Sequence, residues 1–173
     1  MATGTIICPI PGGTPPDGST NNASAQPDRI KSSGTAPSPT FAQLLFDAST
    51  DEHWFWTFRM PSNYASAPVT KLQWKANATS NSVVWCVSLA AITPADTDTP
   101  NEKASATTNS ATTAVNATEA RRLVETSITL SNADSVAAND WVCVTVFRDA
   151  NNGSDTCSVD AELVAVSIEY TTT

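Results

Sequence analysis

Apolar and polar positions alternate along most of the chain after residue 40. Trp54, Trp56, Phe58 and Met60 interleave with His53, Phe55, Thr57 and Arg59, the period-two signature of a half-buried strand that Pro61 then ends. Leu72, Trp74 and Ala76 interleave with Lys71, Gln73 and Lys75, an inward and outward pattern. "SVVWCVSLAAI" (82–92) is apolar on both faces, with Val83, Trp85, Val87 and Leu89 on one and Val84, Cys86 and Ile92 on the other. It predicts a central strand, or one covered on its outer face by a partner. Val124, Thr126, Ile128 and Leu130 share a face, "WVCVTVF" (141–147) adds a strand, and Val164, Val166, Ile168 and Tyr170 alternate with Ala165, Ser167 and Glu169. Seven or eight strands, long connections and no long helix predict an all-β protein, an antiparallel β-sandwich of jelly-roll-like kind. Its core is expected to include Trp54, Trp56, Phe58, Leu72, Trp74, Val83, Trp85, Val87, Ile128, Leu130, Val142, Val144, Val146, Val166 and Ile168.

Two regions break the pattern. Residues 93–118 are a low-complexity excursion with room for one irregular strand, long for a compact domain. "TEARRLVE" (118–125) predicts at most a helical turn capped by Asn116 or Thr118. The other region is the N-terminus. Residues 1–39 hold seven of the eleven prolines and five of the six glycines, and the first aromatic residue is Phe41. Such a segment has too little apolar surface to build its own core. The division predicted is an extended arm over 1–40 and a sandwich over 41–173. Within the arm, Ile6, Ile7 and Ile10 are unusual for a solvated tail. With Pro9 and Pro11 stiffening the backbone between them, they are read as anchors for a groove on another surface, such as a neighbouring subunit. Val84 and Ile92, on the second apolar face of 82–92, are read as an oligomer contact, most simply in a homotrimer.

Composition removes several functions. Nine Lys and Arg against seventeen Asp and Glu give a net charge of −8 with no basic stripe, which argues against nucleic-acid binding. No apolar run is long enough to cross a bilayer, so no membrane partner is expected. The start of the chain has neither the positive region nor the apolar stretch of a secretion signal. Four cysteines without CxxC spacing and a single histidine leave little for a zinc site, and no cofactor or metal is expected. His53 follows Asp51 and Glu52, but neighbouring strand residues point to opposite faces, and no nucleophile motif accompanies it. The residue pattern therefore predicts no catalysis. Asp149, Asn151, Asp155 and Asp160 are hard oxygen donors without EF-hand spacing, equally suited to turns. Trp141 and Tyr64 are candidates for an exposed sugar-binding platform.

The segments "FDASTDEHWFWTFRMPSNY", "KLQWKA", "VVWCVSLAAI", "NDWVCVTVFRDA" and "SDT…DAELVAVSIEY" together resemble small jelly-roll virion proteins of tailed bacteriophages. The resemblance covers about three quarters of the chain and leaves the arm outside. It implies structural roles for Asp140, Arg148, Asp149, Ala150, Asp155, Asp160 and Tyr170: turn closure, a loop ion pair and a core tyrosine. It further implies a capsid decoration or cement protein, made in the host cytoplasm and placed on the virion head. The expected partners are then the major capsid protein and further copies of the chain. The alternative it leaves open is a receptor- or carbohydrate-binding β-sandwich module on a phage tail or fibre.

Overall fold

The computed structural model describes residues 2–173. Eleven strands follow in order: β1 (Thr3–Cys8), β2 (Ala23–Ser24), β3 (Gln26–Lys31), β4 (Thr40–Phe46), β5 (Glu52–Arg59), β6 (Tyr64–Ala76), β7 (Ser82–Ile92), β8 (Asn109–Ala114), β9 (Val124–Thr129), β10 (Trp141–Arg148) and β11 (Ala161–Thr172). A single 3-10 turn, Ile10–Gly12, follows β1. The larger sheet runs β3-β4-β11-β6-β9, with β1 also paired to β11; the smaller runs β2-β5-β10-β7-β8. All pairings are antiparallel except the two-residue β2 against β5. The molecule is an antiparallel, jelly-roll-like β-sandwich.

The inward faces meet as the alternation predicts. Every residue of the expected core is buried except Phe58, which packs against the core only in part. Trp74 and Trp85 meet edge to face at 5.8 Å, and Phe46 meets Trp85 at 5.0 Å. Aromatic pairs of this geometry add to the area they bury. Trp74 Nε1 donates to Thr126 Oγ1 at 2.9 Å, while Trp85 Nε1 has no partner among the described residues.

The N-terminal segment departs from expectation. Its backbone is extended, but it lies along its own sandwich instead of reaching outward. β1 pairs with β11 over six residues, Thr3↔Thr171 to Cys8↔Val166. Ile10 is buried in the core, Pro9 O accepts a 2.9 Å bond from Trp56 Nε1, and Thr14 pairs with Phe55. β2 and β3 then join one sheet each. A few isoleucines suffice because the groove they fill is lined by the body's own aromatics. Gly13 is required by that seating, since a Cβ there would overlap Trp54 Nε1. Gly4 likewise leaves room for the ring of Tyr170.

The loop after β10 is closed by charge. Arg148, fully buried, holds Asp155 through Nη2 at 2.7 Å and Nε at 2.9 Å. The same guanidinium donates to the carbonyls of Phe46, Val159 and Cys157. The loop ion pair implied by the resemblance is this fork. Tyr170, the implied core tyrosine, is buried, and Asp140 Oδ2 closes a turn on the Ala137 N–H at 2.8 Å.

Candidate functional site

On the outer face of the larger sheet, a break in the strand pairing opens a trough. β4 pairs with β11 only from Ala161 to Leu163, and β1 takes over the same edge from Val166 onward. Between them the edge of β11 is unpaired by either strand, and the β11–β6 register shifts between Leu163 and Ala165. A bulge of this kind re-aims side chains. Leu163 and Val166 both face the core, while Val164 and Ala165 both line the trough.

Three connected depressions make up the trough. The middle one, 480 Å³, is lined by Phe41, Gln73, Lys75, Arg121, Leu123, Val164 and Ala165. A wider one of 820 Å³ shares Phe41 and Arg121 with it and extends along β3 and β4 past Asp28, Ile30 and Gln43. A third, of 290 Å³, shares Gln73 and Ala165 and ends at Ile7. Among the described residues the exposed large hydrophobics are Ile7 (68%), Phe41 (42%) and Leu123 (57%), and all three stand in this one trough.

Its floor is polar and ordered. Gln43 is buried; its Nε2 donates to Asp28 Oδ2 at 2.9 Å, and its Oε1 has no partner among the described residues. Lys75 and Glu162 form a largely buried ion pair. Burial lowers the Lys75 pKa, and the nearby charge of Arg121 adds to the effect. Further along, Lys71 Nζ lies 3.5 Å from Glu125 and donates to Ser127 Oγ at 2.8 Å. Apolar side chains on the rim with amides and charges between them suit a ligand having both apolar faces and hydrogen-bonding edges.

The residues singled out from sequence are dispersed. Ile6 faces inward opposite Ile168, Ile7 faces the trough, and Ile10 is core. Pro11 lines a further depression, beside Trp54, that shares Asp28 and Gln43 with the wide lobe. Ile6, Pro9 and Ile10 anchor the segment to its own body, correcting the expectation that they reach another surface, whereas Ile7 and Pro11 are exposed. Val84 and Ile92 are 2% and 8% exposed in the single chain, so the bare patch expected there is absent. Val84 lies between β8 and β10, its N–H and C=O taken by Asp155 and Asp149, and Ile92 lies opposite Trp141. Tyr64 is buried against Tyr170, which removes it as a sugar platform.

His53 stacks on Phe147 at 4.7 Å on the smaller sheet, and burial lowers its pKa. Asp51 accepts from Asn151, and Glu52 from the Asp47 N–H. No group of three or more His, Cys, Asp or Glu side chains is placed to hold a metal among the described residues. In the 149–160 loop Asp155 accepts from Arg148 and Asp149 from Asn152, while Asn151 donates its amide nitrogen to Asp51. All four cysteines are free, and burial pushes the thiols of Cys8 and Cys86 up to about 12.

Of the trough's exposed hydrophobics the sequence pattern singles out Ile7 but not Phe41 or Leu123, yet a signal was present. Inward residues of β4 are Ala42, Leu44 and Phe46, which leaves Phe41 out of phase. Leu123 is out of phase with Thr126 and Ile128, and Ile7 with Ile6. An apolar side chain in the outward register of an amphipathic strand marks a surface that is kept apolar.

No protein-family model and no curated protein matches the chain. Among solved structures, it is similar to a family 11 carbohydrate-binding module from Clostridium thermocellum in complex with a β-1,3-1,4-mixed-linked tetrasaccharide. That match has 8% identity and a TM-score of 0.43, covering 96% of this chain and 87% of that one. A carbohydrate-binding module specific for non-crystalline cellulose matches at 11% identity and a TM-score of 0.45, covering 91% and 84%. An exo-β-1,3-galactanase from Phanerochaete chrysosporium matches at 8% identity and a TM-score of 0.46 over 97% of this chain, which spans only 29% of that enzyme. The fold assignment rests on the strand pairing described above.

Proposed function

We propose that this chain is a non-catalytic binding module that holds an extended, hydroxyl-rich polymer, a polysaccharide, in the trough of its larger sheet. The observation that carries the reading is the gathering of Ile7, Phe41 and Leu123, the exposed large hydrophobics among the described residues, along one trough. A sugar ring presents an apolar C–H face and a rim of hydroxyls. Phe41 offers a partner for the first, and Gln43, Gln73 and Asp28 offer partners for the second. Gln43 Oε1, without a donor among the described residues, suits a ligand hydroxyl. Adjacent strands lie about 4.8 Å apart, so a trough crossing four of them spans roughly 15–20 Å, room for several units of a chain. The sole histidine lies on the other sheet and plays no part.

The setting on a phage tail or fibre is carried over from the sequence resemblance, where such a module would meet a bacterial surface polysaccharide. Head decoration was implied by the same resemblance, with a free arm and a bare patch at Val84 and Ile92 as its means of attachment. The segment is folded onto its own sheets and both side chains are buried, which favours the module reading.

Electrophoresis through gels containing soluble polysaccharides tests the proposal. The wild-type protein should be retarded by at least one polymer, and Phe41→Ala should weaken that retention about tenfold, the worth of one good stacking contact. Because Phe41 is exposed, its loss should leave the fold intact. A wild-type protein retarded by no polymer, or a variant retained as strongly as wild type, would contradict the reading.

A further inference from the structure

The middle lobe of the trough differs in charge from the rest of the molecule. Although the chain carries −8, this lobe is lined by two cations, Lys75 and Arg121, and by no carboxylate. Lys75 is already matched by Glu162, which lines the neighbouring lobe. Arg121 makes no ion pair and no side-chain hydrogen bond among the described residues, whereas the adjacent Arg122 pairs with Glu119 at 2.9 Å.

The backbone is built to hold Arg121 where it is. Its φ of +65° is in the left-handed region, which is strained for a non-glycine residue. Two features hold it there: the Arg121 N–H donates to Ala76 O at 2.8 Å, and Asn116 Oδ1 caps the preceding turn through the N–H groups of Thr118 and Glu119. Strain of this kind persists where the surrounding structure fixes the backbone. The guanidinium stands at the junction of two lobes, beside Phe41 and Leu123. It is also close enough to disfavour the charged form of Lys75. An anion between the two cations would relieve that repulsion.

From this lobe we infer that the polymer carries carboxylates: the trough takes a uronate-bearing polysaccharide, one uronate carboxylate being held by the fork of Arg121 while its ring lies on Phe41. The inference rests on the polysaccharide reading above. A planar guanidinium matches a carboxylate with two parallel bonds, which an ammonium cannot do. The acidic remainder of the protein repels polyanions in general, so binding depends on this one lobe.

The test is retention on polygalacturonate, on neutral dextran and on dextran sulfate at physiological ionic strength. Wild type should prefer polygalacturonate at least about tenfold over both others. Arg121→Gln keeps a non-glycine residue at the strained position and should lose about tenfold on polygalacturonate alone, the worth of a charge-assisted bond. Arg121→Lys should fall between them, and Arg122→Gln should match wild type. Retention of Arg121→Gln at wild-type strength, or equal binding of dextran sulfate, would overturn the uronate assignment. Phe41-dependent retention on dextran without preference for polygalacturonate would also overturn it, while leaving the polysaccharide reading standing. No retention on any polymer would overturn both.

Discussion

Arg148→Ala should cost about 3–5 kcal/mol in urea unfolding, because it leaves Asp155 buried and uncompensated. Asp155 is 1% exposed at its side chain, and the Val84 N–H at 3.0 Å would be its one remaining donor. The same change strips the carbonyls of Phe46, Val159 and Cys157 of their partner. Arg148→Lys should not rescue it. A lysine carries three donors at one point and cannot span Asp155 and three carbonyls set around a planar fork. The loss is a large part of the 5–15 kcal/mol that holds a typical domain. An unchanged urea midpoint for Arg148→Ala would mean that the fork contributes nothing net.

Deleting residues 2–12 should destabilise the sandwich by at least about 4 kcal/mol. Burying an isoleucine stabilises by about 1.5–3 kcal/mol, and this segment supplies Ile10 fully and Ile6 in part. Trp56 Nε1 would lose Pro9 O, and an unpaired buried donor costs about 1–3 kcal/mol. Ile168 and Tyr170 would lose the strand beside them. The truncated protein should unfold at markedly lower urea or fail to accumulate in soluble form. A midpoint equal to that of the full chain would mean that the segment is an appendage, as its composition suggests.

The contrast between body and N-terminal segment marks what the sequence makes legible. In the body, period-two alternation is read without knowing any partner, because each strand's inward face is apolar by itself. Trp54, Trp56, Leu72, Trp74, Val142, Val144 and Val146 are buried for that reason. β1 to β3 carry no such pattern. Their stability comes from long-range pairing, Ile6 with Ile168 and Asp28 with Gln43, which composition cannot reveal. Asn116 was read as a cap and does accept two N–H groups, but the turn it closes leads into β9 and not into a helix. Val164 illustrates a subtler limit. Strict alternation places it with Val166 and Ile168 in the core, and one inserted residue turns it outward. Nothing local announces a bulge, and here the bulge sets the floor of the trough. The trough residues themselves come from β1, β3, β4, β6, β9, β11 and the 116–123 turn, brought together only by the sheet order.

The most direct test of the trough is amide chemical-shift mapping on the nitrogen-labelled protein, titrated with oligogalacturonate and separately with a neutral gluco-oligosaccharide. If the larger sheet is the ligand face, shifts should cluster at Phe41, Gln43, Gln73, Arg121, Leu123 and Ala165, and leave Phe55, Trp141 and Phe147 of the smaller sheet unmoved. Shifts confined to the smaller sheet, or none with either oligosaccharide at saturating concentration, would contradict it.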